Sequence, residues 1–292
     1  MPRSRAGLGV ASTLWALGLL AAAPGARAQA PRPTPPPPRP AGAGIAIGDL
    51  AWADRAIERA ELPEKSSWRA LAPGDKLRTG DTFRTSEDAT VRLSFPWMEV
   101  TLGGSTMLTI PASTILSTVL EQGRAEFAGP GRDIVKIRVG DGEVRGGGRL
   151  VLRRSVGRTS AAVLEGSFRV RAASRTVEVK AGEGTVVADG RPPEAPAPLP
   201  AAPGGLRPGP DPVYVRSGQP LDLRWTAAGP SHHVEILALD RDEVLLAREA
   251  GAPPLRLEIP WLGTYRWRVS ARDARGVESR PSTTGLIASV ER

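Results

Sequence analysis

His232 and His233 are the two histidines of a 292-residue chain that has no cysteine. Thiolate metal sites, cysteine nucleophiles and disulfides are therefore excluded, and so is a lipid-modified export signal. Side chains of adjacent residues in a strand point to opposite faces, so the two imidazoles cannot clasp one ion without distortion. No third ligand stands at close spacing, and the pair reads as a strand start with one ring exposed. A Ser-His-Asp relay would have to recruit one of them, and no Gly-x-Ser-x-Gly elbow is present.

Three further stretches invite chemistry. "GDGEVRGGGR" (Gly140–Arg149) is glycine-rich, but its spacing is wrong for a dinucleotide fingerprint and no helix follows, so it reads as a long flexible hairpin loop. "DRDE" (Asp240–Glu243) is acidic enough for weak calcium binding and reads more simply as a turn between strands. "LAPGDKLRTGDTFRT" carries Gly74-Asp75 and Gly80-Asp81 six residues apart. Neither pair opens a helix as a phosphate cradle requires, and an apolar and basic segment separates the two carboxylates, unlike a calcium loop. Glycine tolerates positive φ and aspartate bonds nearby backbone N–H groups, so two turns bracketing a short strand fit best. No catalytic, cofactor-binding or metal-ligating residue is assigned, no cofactor is expected, and the expectation is a protein that is not an enzyme.

The elements that would position these residues are strands. Val91, Leu93 and Phe95 alternate with Arg92 and Ser94; Phe168 and Val170 with Arg169 and Arg171; Leu221, Leu223 and Trp225 with Asp222 and Arg224. In "YRWRVSAR", Tyr265, Trp267, Val269 and Ala271 face one way and Arg266, Arg268, Ser270 and Arg272 the other. Period two places one set in a core and the other in water. Only "DLAWADRAIERAEL" (Asp49–Leu62) suits a helix, and the chain reads as all-β, with short strands.

The first residues have the three parts of a secretory signal: Arg3 and Arg5, an apolar run Leu8–Ala23, and Ala26-Arg27-Ala28 as a cleavage site after Ala28. The apolar run is too short for a spanning helix and no later segment supplies one. Export is expected, into a periplasm where one exists, with an uncleaved leader anchored in the inner membrane as the alternative. The formal charge of +8 resides in scattered arginines, without a dense run. Together with export this argues against nucleic acid and leaves an anionic envelope surface open.

Proline breaks divide the rest. A leader at 1–28 and a proline-rich spacer at 29–44 precede a β domain at 45–190. A second proline-rich linker at 191–212 leads to a β module at 213–292.

From Trp68 to Ile110 the chain resembles the FecR domain. Trp68, Gly74, Asp75, Leu77, Gly80, Asp81, Thr85, Val100 and Leu102 fall on that family's pattern. Its later half is matched by "VLEGSFRVRA" and "VEVKAGEGTVV", with Gly166, Gly182 and Gly184 at its turns. Pro96-Trp97 departs from the Asp-Gly turn of the family, so Trp97 becomes either a contact surface or a packing residue. Residues 213–292 are similar to a fibronectin type III or immunoglobulin-like sandwich, with Trp225 and Tyr265 at that family's marked positions. The fold expected is thus a FecR-like antiparallel β module followed by such a sandwich.

Two functional classes are expected, the second of them implied by the FecR resemblance. One is an exported, non-catalytic binding or scaffolding protein that contacts an envelope protein or a cell-wall polymer, with Arg266, Arg268 and Arg272 exposed for anionic groups. The other is a FecR-type component of sigma-factor signalling across the inner membrane. A hydrolase with accessory β modules lacks any recognisable site.

Overall fold

The computed structural model describes residues 44–291 apart from 62–66, 114–116, 131–134 and 241–242. The leader with its Ala28 boundary, the proline run Pro31–Pro40, and Arg241 and Asp242 of the acidic stretch lie outside the described residues. Among the described residues every regular element is a strand, and no helix is long and apolar enough to cross a membrane.

The first sheet opens with β1 (Ala46–Ala53), β2 (Ile57–Glu61), β3 (Arg69–Ala70), β4 (Lys76–Arg78) and β5 (Asp81–Thr85). It continues through β6 (Val91–Phe95), β7 (Met98–Leu102), β8 (Met107–Thr109), β9 (Ser117–Gly129) and β10 (Val135–Val139). It closes with β11 (Gly142–Ser155), β12 (Arg158–Ala172), β13 (Arg175–Lys180), β14 (Glu183–Ala188) and β15 (Ala197–Pro198). Its long path runs β15-β14-β12-β11-β10-β9-β7-β6-β1-β4, and the sheet curls enough for β11 to pair with β9 as well. One face encloses a core built from Leu50, Phe83, Leu93, Leu102, Leu120 and Ile137 with their neighbours. Each such side chain contributes about 1.5–3 kcal/mol by leaving water.

The remaining strands are β16 (Gly204–Arg207), β17 (Val213–Arg216), β18 (Pro220–Thr226), β19 (Ser231–Ala238), β20 (Val244–Ala250), β21 (Leu255–Glu258), β22 (Gly263–Arg272) and β23 (Gly285–Val290). They form a three-stranded sheet, β16-β18-β21, facing a five-stranded sheet, β17-β23-β22-β19-β20. Trp225, Ile236, Trp267, Val269 and Ile287 fill the space between the two.

Four sequence expectations are corrected. The described part of Asp49–Leu62, up to Glu61, is not a helix: β1 pairs with β6 and β4, and β2 with β5, because available strand partners outweigh the helix preference of an Ala/Glu/Arg-rich segment. Gly142–Arg149 is strand interior rather than a loop. There β11 and β12 cross so closely that a Cβ on Gly148 would lie 2.2 Å from the Glu165 carbonyl oxygen, and one on Gly166 2.1 Å from that of Gly147. Gly166, with φ +74°, therefore lies inside β12, two residues beyond the register shift at Leu164, and not in a turn, and Gly184 lies within β14. The strands are not uniformly short or antiparallel, since β11 and β12 run to 14 and 15 residues and β10 pairs with β9 in parallel, as β17 does with β23.

The span read as a linker contributes two strands, β15 to the first sheet and β16 to the second module. Proline excludes ladder donors at its own position only, and Gly204–Arg207 supplies the groups that pair with β18.

Candidate functional site

The Gly-Asp pairs form two turns of one design. Gly74 and Gly80 take φ of +92° and +90°. In each turn the aspartate accepts the backbone N–H three residues earlier, Ala72 to Asp75 at 2.9 Å and Arg78 to Asp81 at 2.7 Å. β4 lies between them, and Thr85 beyond the second turn donates its buried hydroxyl to the Gly103 carbonyl at 2.7 Å. The half-buried Trp68 lies beneath the Arg84 guanidinium, 4.2 Å from the ring centroid. Gly182, with φ +86°, occupies the turn between β13 and β14.

The chemistry-bearing groups gather elsewhere, on the outer face of the first sheet. Cross-strand register aligns Arg124 on β9 with Arg153 on β11 and Ser160 on β12, and places Glu126 beside Val151 and Ala162 in the next row. The outer face of the five-stranded sheet meets these rows. There Glu249, His233 and Ser270 form one cross-strand row, and Ala247, Glu235 and Arg268 the next. Val277, on the turn after β22, enters an apolar patch of Val151, Ala162, Leu164 and Val186, with Leu199 of the connecting segment at its edge.

Between the two faces lies a buried charge cluster. Arg124, 3% exposed, donates through Nε to Glu278 Oε2 at 3.0 Å and through Nη2 to Glu278 Oε1 at 2.8 Å. Its Nη2 also reaches Glu126 at 3.3 Å and approaches Glu235 at 3.8 Å. Arg268 Nε donates to Glu235 Oε2 at 2.6 Å, and the Ser270 hydroxyl to Glu278 at 2.8 Å. His233 links two carboxylates. Its Nδ1 stands 3.1 Å from Glu249, and its Nε2 3.3 Å from Glu235, close enough for an ion pair although poorly aligned for a hydrogen bond. Arg153 and Arg272 converge on the partly open Glu249, and Arg149 donates to Glu126 at 2.5 Å.

The electrostatics follow from this packing. Burial alone would raise the Glu278 pKa, but Arg124 outweighs it and pulls the group down to about 2. Glu235 would likewise be raised by burial and is held well below the usual carboxylate range by Arg268 and then His233. Burial and Arg124 would lower the His233 pKa, yet Glu235 and Glu249 outweigh them and raise it. The Arg124 guanidinium would be weakened by burial, but Glu278, Glu126 and Glu235 hold it above its ordinary value. Each ionised group thus finds its counter-charge across or along the interface. The arrangement suits fixed docking of two sheets, and among the described residues no group of three histidine, aspartate or glutamate side chains is placed to hold a metal ion.

The contact extends beyond the cluster. The Ala247 amide donates to the Thr90 hydroxyl at 2.6 Å, Trp52 Nε1 to the Leu245 carbonyl at 3.1 Å, and the Ser160 hydroxyl to the Gly276 carbonyl at 2.6 Å. A cavity of about 240 Å³ opens onto Arg124, Arg153 and His233 from beside Gly103 and Gly104. A wider cleft of about 580 Å³ separates Asp54 and Arg55 from β20 and β21.

The arginines expected to be exposed, and the histidine ring expected to be so, are placed otherwise. Arg268 is buried on Glu235, and Arg272 bonds Ser231 at 2.8 Å and Glu249. Arg266 is half-buried and donates to the Ala238 carbonyl at 3.2 Å. Around Arg268 and Arg272 this strand face packs on another polar face and not on water. Trp97 stacks on Phe95, centroids 5.9 Å apart, and rests on the first core. His232 and His233 do point to opposite faces, yet neither ring is exposed: His232 meets the Trp225 ring edge-on, and His233 enters the cluster. Tyr265 is buried and donates its hydroxyl to the Leu262 carbonyl at 2.7 Å. Arg124, Glu278, Glu235 and Glu126 were not singled out by sequence. The available signal was alternation itself, since Glu235 shares the parity of His233 on β19.

No protein-family model matches the chain, and no curated protein matches it. Among solved structures it is similar to a protein provisionally assigned as an anti-sigma factor from Parabacteroides distasonis, in crystal structures at 1.65 and 2.50 Å resolution. Identity is 13% in both, with TM-scores of 0.36 and 0.35 over 40% of this chain. The match spans 59% of that protein's length. Likeness of that degree carries no argument about activity or partners.

Proposed function

We propose that this chain is an exported, non-catalytic binding or scaffolding protein of the bacterial cell envelope, which contacts protein partners or anionic envelope polymers through its β modules. The observation that carries this reading is the division of the first sheet's outer face. One half is sealed by the second module through paired buried charges, which fixes the two bodies as one unit, while the other half stays open to solvent with its strand side chains outward. Gathering five guanidiniums and four carboxylates, of which Arg124, Arg268, Glu126, Glu235 and Glu278 are buried, contributes little net stability, but it penalises any docking that leaves a buried one unpaired. A rigid body that holds out a charged β surface suits adhesion or scaffolding. The test is co-sedimentation of the chain from Gln29 onward with purified cell-wall sacculi across a salt series. Pelleting that resists salt is expected; no pelleting at any salt would remove cell-wall binding and send the search to a protein partner by crosslinking in cells.

A second reading, a FecR-type signalling component anchored at the inner membrane, is favoured by the paired Gly-Asp turns with Trp68 and Thr85 beside them. It predicts that the chain fractionates with inner membranes and crosslinks to a membrane partner there.

A further inference from the structure

The open half of the outer face is formed by β10, β11, β12 and β13. Register places Lys136, Arg145, Arg169 and Glu178 in one row across these strands, and Arg138, Glu143, Arg171 and Thr176 in the next. Lys180 continues the face one row further, beside Ser167. The opposite sides of the same strands carry Ile137, Val144, Phe168, Val170 and Val179, all in the core, so the charged side chains have nowhere to point but outward. Arg138, Arg145, Arg169, Arg171 and Lys180 are exposed. The face thus collects six cations, with Lys136, against Glu143 and Glu178, half of the chain's formal charge of +8 on four strands.

The carboxylates do not cancel this charge. Glu143 already accepts from Lys136 at 2.7 Å and from Arg145. Arg138 and Arg171 flank Glu143 from the neighbouring strands and have no ion-pair partner among the described residues. The two border a hollow of about 430 Å³ rimmed by the turns at Gly140-Asp141 and Ala173-Ser174. Strands stand about 4.8 Å apart and alternate side chains repeat about every 6.8 Å, so the cations recur at regular intervals across the face.

We propose that this face binds a linear phosphate-bearing polymer of the envelope, an inference that rests on the envelope-binding reading above and names its site. Guanidiniums match phosphate oxygens by paired N–H donors, and several at regular intervals suit a ligand that repeats its charge along a chain. The outward positions of these rows are charged or small and polar, Thr176 and Ser167 among them, and offer no aromatic platform for bases and no apolar wedge for lipid.

The test uses the chain from Gln29 onward, long-chain inorganic polyphosphate as the probe, and polyglutamate and anionic lipid vesicles as comparators. Arg138→Ser with Arg171→Ser is expected to weaken polyphosphate binding by about tenfold or more and to flatten its salt dependence by about two contacts. Arg224→Ser with Arg256→Ser, an equal charge change on the exposed side of the second module, should leave binding within twofold. Equal losses from the two double variants would reduce the effect to net charge and overturn the site. Binding to polyglutamate as tight as to polyphosphate would overturn the phosphate assignment, and binding only to vesicles would overturn the polymer. If the unaltered chain and Arg138→Ser/Arg171→Ser pellet equally with sacculi at high salt, envelope binding stands and this face is not its site.

Discussion

Arg124 is surrounded by three carboxylates, so the cost of losing it is set by what remains. Arg124→Met would leave the buried Glu278 without an ion-pair partner among the described residues, while Glu126 keeps Arg149 and Glu235 keeps Arg268, and a loss of about 3–5 kcal/mol in denaturant unfolding is expected. Glu278→Leu alone should cost less, because the guanidinium keeps Glu126 at 3.3 Å and Glu235 at 3.8 Å. The double variant should lose much less than the sum, by a coupling energy of about 1–3 kcal/mol in the double-mutant cycle. Additive losses would mean that the pair is not the contact that holds the sheets. Arg268 shows why these partnerships were hidden in the sequence. Its alternation with Trp267 and Val269 placed it correctly on the outer side of β22, but period two cannot tell a face in water from a face against another protein surface.

At the scale of elements, the turns were legible and the crossing was not. Gly74-Asp75 and Gly80-Asp81 carry their geometry in two adjacent residues, so local chemistry suffices to read them. Gly148 and Gly166 are spaced by a hairpin, and their role as a close contact between β11 and β12 emerges only once the strands are paired. That difference is measurable. Gly157 has φ +79° at the β11–β12 turn with open space where a Cβ would go, so Gly157→Ala should cost only the left-handed backbone penalty of about 1 kcal/mol. Gly166 has nearly the same φ, but its Cβ would collide with the Gly147 carbonyl oxygen. Gly166→Ala should therefore cost about 2 kcal/mol or more by thermal or denaturant unfolding. Equal losses at the two glycines would mean that the strands relax apart and that the crossing is not tight. The segment Asp49–Leu62 fails for the complementary reason: its composition suits a helix, and only the neighbouring strands decide otherwise.

At the scale of the whole molecule, the proline-rich stretch reads as a linker between two β modules, whereas the charge cluster and the Val277 contact tie the described residues of those modules into one compact unit. Linker composition reports on local backbone freedom and says nothing of what the flanking faces do when they meet. The tie should depend on pH in a defined direction. Glu278 titrates at about 2 when folded, and Glu235 also lies well below the ordinary range of about 4.3. Their stabilisation is complete above that range and disappears as pH falls toward 2, because the unfolded chain takes up protons first. Glu249 is nearly half open to solvent, so its share is screened. His233 acts with the opposite sign: its pKa is raised in the folded state, so its contribution is complete below about 6.5 and is lost as pH rises through the raised value. Docking should therefore be strongest at about pH 5–6. Calorimetry there should show one cooperative transition for both modules. At about pH 2–3 it should resolve into two, as the docked faces lose their pairing before either core melts. His233→Gln should flatten the alkaline limb and leave the acid splitting in place. A single transition across the whole range would show that the apolar patch around Val277 holds the modules together without the charges.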